Sequence, residues 1–174
     1  MKNFINIFVL VLGLCFGARF AIAQIPIQNS DADILSVVAV IDQNEIQMAH
    51  MVEQKNVNRH ILDYAKMLDR DHNKNLDQDQ KLSQELGLTL GENSGTAGQL
   101  QSDGNKGMAA LSSLDQVSFS REFISDMIKG HTDVLNWIDN QQAQNERVKR
   151  FLNETRKYIS KHLKKAQYIQ VHVL

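Results

Sequence analysis

Apolar residues recur along this chain at steps of three and four, the period of one face of an α-helix, in four long stretches. The first opens at Ser30-Asp31-Ala32-Asp33, which reads as a capping box: a serine oxygen accepts from a free helix-end amide, and an acid three residues on returns the bond. Ile34, Val38, Ile41, Met48 and Val52 continue that stripe. After the turn Asn56-Val57-Asn58, a second helix is predicted from Arg59 to Leu86, with Ile61, Ala65, Leu68, Leu76, Leu82 and Leu86 on one face and Gly87 as its stop. A third is predicted from Leu114 or Ser118 to Asn140, through Phe123, Met127, Val134 and Ile138. The fourth follows the polar turn 141–145 and carries Val148, Leu152, Thr155, Ile159, Ala166, Ile169 and Val173.

Each stripe is broken once by a strongly polar residue, near the middle of its helix. Glu45 stands four after Ile41 and three before Met48, and His72 stands four from both Leu68 and Leu76. His131 is four after Met127 and three before Val134; His162 is three after Ile159 and four before Ala166. Helices rise 1.5 Å per residue, so groups at the midpoints of packed helices come level whichever way each helix runs. The pattern therefore predicts one polar layer inside a helical bundle. Left without partners, such groups would cost roughly 1–3 kcal/mol each. Either a metal ion or a closed Glu–His–water network has to satisfy them.

Three neutral imidazoles and one carboxylate suit a single Zn²⁺, Fe²⁺, Mn²⁺ or Cu²⁺ ion, with Asp69 or Asp71 behind an imidazole to orient it. Two irons would need a Glu from each of two helices and a Glu-x-x-His from each of the other two. The second helix offers only Asp69-Arg70-Asp71-His72, and Ile159 stands three before His162, so the expected site is mononuclear with ligands Glu45, His72, His131 and His162. His50, His60 and His172 fall off the layer and are read as surface or local contacts, and Met48, Met67 and Met127 as core filler.

Residues 88–113 have another texture. Gly91, Gly95, Gly98, Gly104 and Gly107 lie among Ser, Thr, Asn and Gln, so this stretch is predicted to be a flexible Gly-rich crossover loop. A long crossover lets the helices on either side of it run in the same direction, as in ferritin-like bundles. The fold class expected is thus all-α, a ferritin-like four-helix bundle with a long crossover loop between helices 2 and 3.

The first residues of the chain change what counts as the folded part. Met1-Lys2-Asn3 is a short basic start, Phe4 to Gly17 is almost wholly apolar, and Ala21-Ile22-Ala23 supplies a small-x-small cleavage pattern. Residues 1–23 are therefore expected to be a signal peptide and residues 24–174 a single helical-bundle domain, exported to the periplasm or the extracellular space. Arg19 interrupts the apolar run before it reaches the ~20 residues that span a bilayer. Cleavage near Ala23 removes Cys15, the one cysteine, so neither disulfides nor thiol chemistry are available to the remainder. The one proline, Pro26, precedes the first helix, as long uninterrupted helices require.

Losing Lys2 and Arg19 leaves 17 basic residues against 20 acidic ones. Residues 145–174 nonetheless hold eight Lys+Arg and two acids. This basic fourth helix suggests a weak contact with an anionic envelope surface, but the favoured reading is a solvated face leaning on Asp63, Asp69, Asp77 and Asp79, and no nucleic-acid partner is expected. No phosphate-binding glycine loop and no nucleophile elbow occurs.

Tyr64-Ala65-Lys66-Met67-Leu68-Asp69-Arg70-Asp71-His72, Phe119-Ser120-Arg121-Glu122-Phe123-Ile124 with Met127 and His131, and His162-Leu163-Lys164-Lys165-Ala166 resemble a bacterial secreted family known as domain of unknown function 4142. The resemblance implies a ferritin-like fold, with recurring polar positions at Glu45, Asp71, His72, His131 and His162. The chain departs from it at Lys157, where the family usually has proline, and at Ser120, where it has an acid. The function expected is a metal-binding protein; the alternative is a non-enzymatic structural or interaction protein of the envelope whose polar layer is a metal-free network. Enzymatic use of the metal would need an open coordination position, for which the sequence gives no sign.

Overall fold

Five helices account for the described residues, 29–91 and 95–174, of this computed structural model: α1 (Asp31–Glu53), α2 (Arg59–Leu86), α3 (Gly95–Ser112), α4 (Gln116–Asp139) and α5 (Glu146–His172). Among these residues there is no strand, and no helix is long and apolar enough to cross a membrane. The expected signal peptide at 1–23 lies outside the described residues.

The helices begin and end where their caps dictate. Ser30 Oγ accepts from the Asp33 amide at 3.1 Å, and Asp33 Oδ2 accepts from the Ser30 amide at 3.1 Å, completing the capping box of α1. Asn58, Asp115 and Asn145 cap α2, α4 and α5 in the same chemical manner. Gly87 ends α2 at φ 66°, a left-handed conformation that is open to glycine without a steric penalty.

Side-chain bonds fix the helix directions. Asp42 meets His72 at 2.7 Å and His50 meets Asp69 at 2.9 Å, so α1 and α2 are antiparallel. Thr155 donates to Asn75 at 2.9 Å, and Arg147 pairs with Glu85, setting α5 antiparallel to α2. Arg156 donates to Asp139 at 2.6 Å across the α4–α5 hairpin. Consequently α1 and α5 run one way while α2 and α4 run the other. The connection from α2 to α4 must then travel the full length of the bundle.

That connection is not the flexible loop expected over 88–113, because residues 95–112 form α3. Its glycines, each costing about 1 kcal/mol of helix propensity relative to alanine, disguise the helix, but Ala97, Gly104, Gly107, Met108 and Leu111 are buried along one face of it. A Cβ at Gly104 would come within 2.5 Å of the Asn44 side chain, so this glycine is what lets α3 approach α1. Asn44 Nδ2 donates to Leu100 O at 3.2 Å, the Gly91 amide donates to Ser36 Oγ at 2.8 Å, and Lys55 Nζ donates to Ser112 O at 3.0 Å. These three contacts lay α3 parallel to α1 from end to end. The architecture is a bundle of four long helices with a crossover helix along its flank.

The apolar core falls into two clusters. Tyr64, Leu68, Phe119, Phe123 and Ile169 belong to one, and Ile34, Val38, Trp137, Leu152 and Ile159 to the other. Between them lies a slab of buried polar side chains: Asp42, His72, Asn75, His131, Thr155 and His162.

The basic face of α5 has acidic neighbours. Arg147 pairs with Glu85, Arg156 with Asp139 and Lys161 with Asp71. Asp63 instead pairs with Arg59 within α2, and Asp69 with His50 of α1.

Candidate metal centre

Three of the four residues that interrupt the stripes come together. His72 from α2, His131 from α4 and His162 from α5 are each at most 2% exposed. Their ring centroids lie 5.1–6.1 Å apart, and one ring nitrogen of each lies within 4.8 Å of the others. The level arrangement follows from their mid-helix positions, since α2, α4 and α5 pack side by side around the slab.

Every one of these imidazoles has one nitrogen held and one left over. His131 Nδ1 lies 2.7 Å from Met127 O. A carbonyl can only accept, so the proton is on Nδ1 and the lone pair is on Nε2. His72 Nδ1 lies 2.7 Å from Asp42 Oδ1, and His162 Nε2 lies 3.1 Å from Asp71 Oδ2, which assigns their donor nitrogens in the same way. The nitrogens that remain, His72 Nε2, His131 Nε2 and His162 Nδ1, are buried without a hydrogen-bond partner. Hydrogen bonding the far nitrogen to a carboxylate or carbonyl fixes the tautomer and raises the basicity of the near one.

Burial sets the charge state. It pushes His131 well below the ordinary histidine value, and the neighbouring His72 and His162 add to the effect. Burial and His72 likewise take His162 down to about 4, against the partial compensation of Asp71. His72 differs: burial works against its charged form, but the hydrogen bond and charge of Asp42, with Glu45 and Asp71 behind, outweigh that and raise it. Two of the three rings are thus held neutral, with lone pairs available.

Asp42 was not among the expected site residues. It is 1% exposed, and besides His72 it accepts from Asn75 Nδ2 at 2.8 Å, while Asn75 Oδ1 accepts from Thr155 at 2.9 Å. Burial raises the Asp42 pKa, with His72 and Asn75 opposing. Asp71, one of the two orienting candidates, meets His162. Burial opposes its charge, but His162, Arg70 and Lys161 together hold it below the usual carboxylate value. Asp69, the other orienting candidate, lies on the surface against His50.

Glu45 does not join the set of mutually close donors. Its Oε2 is buried without a partner, and the residue lines a separate cavity between α1, α3 and α4. Burial raises it to about 6, eased by the charge of His72 and reinforced by that of Asp42. Glu45 therefore stands between the histidines and that cavity.

The family model described as Domain of unknown function (DUF4142) matches residues 19–169. The chain belongs to that family. No curated protein and no solved structure matches it. The DUF4142 match spans all five helices as far as Ile169, so the histidine cluster and its two orienting carboxylates all lie inside the family region.

Proposed function

We propose that this DUF4142 protein is exported and binds one transition-metal ion, Zn²⁺, Fe²⁺, Mn²⁺ or Cu²⁺, through His72 Nε2, His131 Nε2 and His162 Nδ1. The carrying observation is the convergence of three buried imidazoles, each with one ring nitrogen engaged and the other buried without a partner. The charge balance supports it. Neutral imidazoles bring no charge, and the carboxylates of Asp42 and Asp71 behind two of them match the charge of a divalent ion in a low-dielectric interior. Glu45, the carboxylate expected as the fourth ligand, lines the neighbouring cavity instead.

Export is carried by the basic start, apolar run and Ala21-Ile22-Ala23 pattern, and its test is the N-terminal sequence of the protein recovered outside the cytoplasm. A second reading has one observation in its favour: the raised His72 supplies a proton that the lone pairs of His131 and His162 can share, giving a metal-free network that sets helix register. Elemental analysis of the purified protein separates the two. The metal reading expects close to one equivalent, reduced below about a tenth by His131→Ala, and a rise in thermal midpoint when metal is returned to the stripped protein. A metal-free wild-type protein whose midpoint ignores added metal overturns it.

A further inference from the structure

The cavity that Glu45 borders is a site in its own right. It has a volume of about 70 Å³ and lies between α1, α3 and α4, away from α2 and α5. Its walls are mostly apolar, supplied by Ile41, Met48, Leu100, Met127 and Val134, with Trp137 among them. Two carboxyl groups interrupt this lining, each with one oxygen that has no partner, and the indole Nε1 of Trp137 is likewise buried without one. Asp126 is 5% exposed and its Oδ2 is buried with no hydrogen bond, and the same holds for Glu45 Oε2. Among the described residues no Lys, Arg or His lines the cavity, and its other acid, Asp103, is already engaged by Gln99 and Lys106.

An unpaired buried carboxylate is costly enough that it takes up either a proton or a cation. Burial raises Asp126 to about 8, with the charges of Glu122 and Glu45 adding to it and that of Lys129 opposing, so Asp126 senses the other cavity acid. A hard metal ion does not suit the lining, because such ions gather six or more oxygens and these walls offer two unengaged carboxyls in apolar surroundings. An organic ammonium does suit it: its N–H groups supply donors to carboxyl oxygens, and its hydrocarbon body covers the apolar wall. An apolar void of roughly 150 Å³ accepts a benzene ring, so a cavity of this size fits a body of roughly three or four heavy atoms.

We infer that this cavity binds a small primary alkylammonium ion, with Asp126 and Glu45 as its counter-charges and the α1–α3–α4 walls enclosing its carbon chain. The site is distinct from the histidine cluster and does not depend on the metal reading.

Trp137 is the one tryptophan of the chain and lines the cavity, so its fluorescence in the metal-stripped protein reports on this site. The purified protein is titrated with n-propylammonium, with the isosteric n-propanol and with propionate. Saturable binding of n-propylammonium is expected, with n-propanol weaker by at least about tenfold and propionate not bound. Gly130 also lines the cavity, and a Cβ there meets nothing within 4 Å, so Gly130→Leu places a side chain in the space without a clash at its base. Both Gly130→Leu and Asp126→Asn are expected to weaken n-propylammonium by about tenfold or more, circular dichroism confirming that each is folded. Should Gly130→Leu fail to fold, Asp126→Asn carries the test, since it removes a charge without changing shape. Equal binding of propanol and propylammonium, unchanged affinity in the folded variants, or no saturable response at all would overturn the inference.

Discussion

Two polar groups of residues sit side by side inside this bundle, and they are built on opposite plans. In the histidine cluster every ring has a second-side partner: Asp42 for His72, Met127 O for His131 and Asp71 for His162. In the cavity beyond Glu45, the carboxyls of Glu45 and Asp126 each keep a buried oxygen without one. Burial favours the uncharged form in both places, but the chemical result is reversed. A base held neutral presents a lone pair, as His131 and His162 do; an acid held neutral keeps a proton that only an incoming cation displaces, as Asp126 does. The same desolvation therefore prepares one region to take a metal and the other to take a cation that brings its own donors. Glu45 borders both, and its pKa of about 6 is intermediate because His72 on one side partly offsets burial.

The comparison is broken most severely by removing a second-side partner. Asp42→Ala strips His72 and Asn75 of their common acceptor and is expected to lower unfolding free energy by about 3–5 kcal/mol, the usual cost of leaving one member of a buried pair alone. Urea denaturation of the metal-stripped protein reads this directly. Asp42→Asn preserves shape and one hydrogen bond but not the charge, so it is expected to lose less stability while still weakening metal retention by about 10–100-fold. If Asp42→Ala cost under about 1 kcal/mol, the histidine region would be no better tied than the carboxyl region, and the contrast would fail.

Asp126→Asn should do the opposite of Asp42→Ala, and its effect should depend on pH. The folded-state value of about 8 lies above the ordinary 3.8, so between those values the folded protein holds a proton that the unfolded chain has released. Stability contributed by that proton is full below about pH 4 and is lost as pH rises toward 8. Replacing the acid with an amide removes the slope, so the variant is expected to lie below the wild type near pH 4, where the amide lacks partners, and to exceed it near pH 8. The gain should be on the order of 2 kcal/mol, less than the full shift would give, because the buried amide stays short of partners. Denaturant midpoints of both proteins measured from pH 4 to 8 give the sign. A difference independent of pH would mean that Asp126 is paired after all.

The tied region was legible in the sequence, and the untied one was not. Three of its histidines stood in gaps of otherwise apolar stripes, where helical spacing and the 1.5 Å rise per residue are enough to bring them level. Asp71 was within reach for the same reason, being next to His72. Asp42 was missed because residues Ile34 to Val40 are buried on every side of α1, so no single stripe marked its inner face. Its signal was an acid seven after Leu35, four after Val38 and seven before Ala49, all buried. Asp126 lies off the Phe123, Met127, Val134 stripe of its helix and lines the cavity that α3 walls. Because α3 read as a loop, the residues facing it had no visible neighbour, and the cavity could not be foreseen.

The smallest test concerns the two glycines of that cavity, which act in opposite senses. Gly104 belongs to α3, and a Cβ there would fall 2.5–2.8 Å from the Asn44 side-chain atoms. Asn44 holds α3 by donating to Leu100 O and accepting from Gln101, so it cannot give way without losing those bonds. Gly130 belongs to α4, and a Cβ there meets open space. Alanine favours a helix over glycine by about 1 kcal/mol at either position. At Gly130 that gain should appear whole, while at Gly104 a crowding cost of about 1–3 kcal/mol should cancel or exceed it. Gly130→Ala is therefore expected to raise the thermal midpoint by a few degrees and Gly104→Ala to leave it unchanged or lower it. If both stabilised equally, α3 would not be seated on α1 through Gly104, and the wall that encloses Glu45 and Asp126 would be looser than the contact implies.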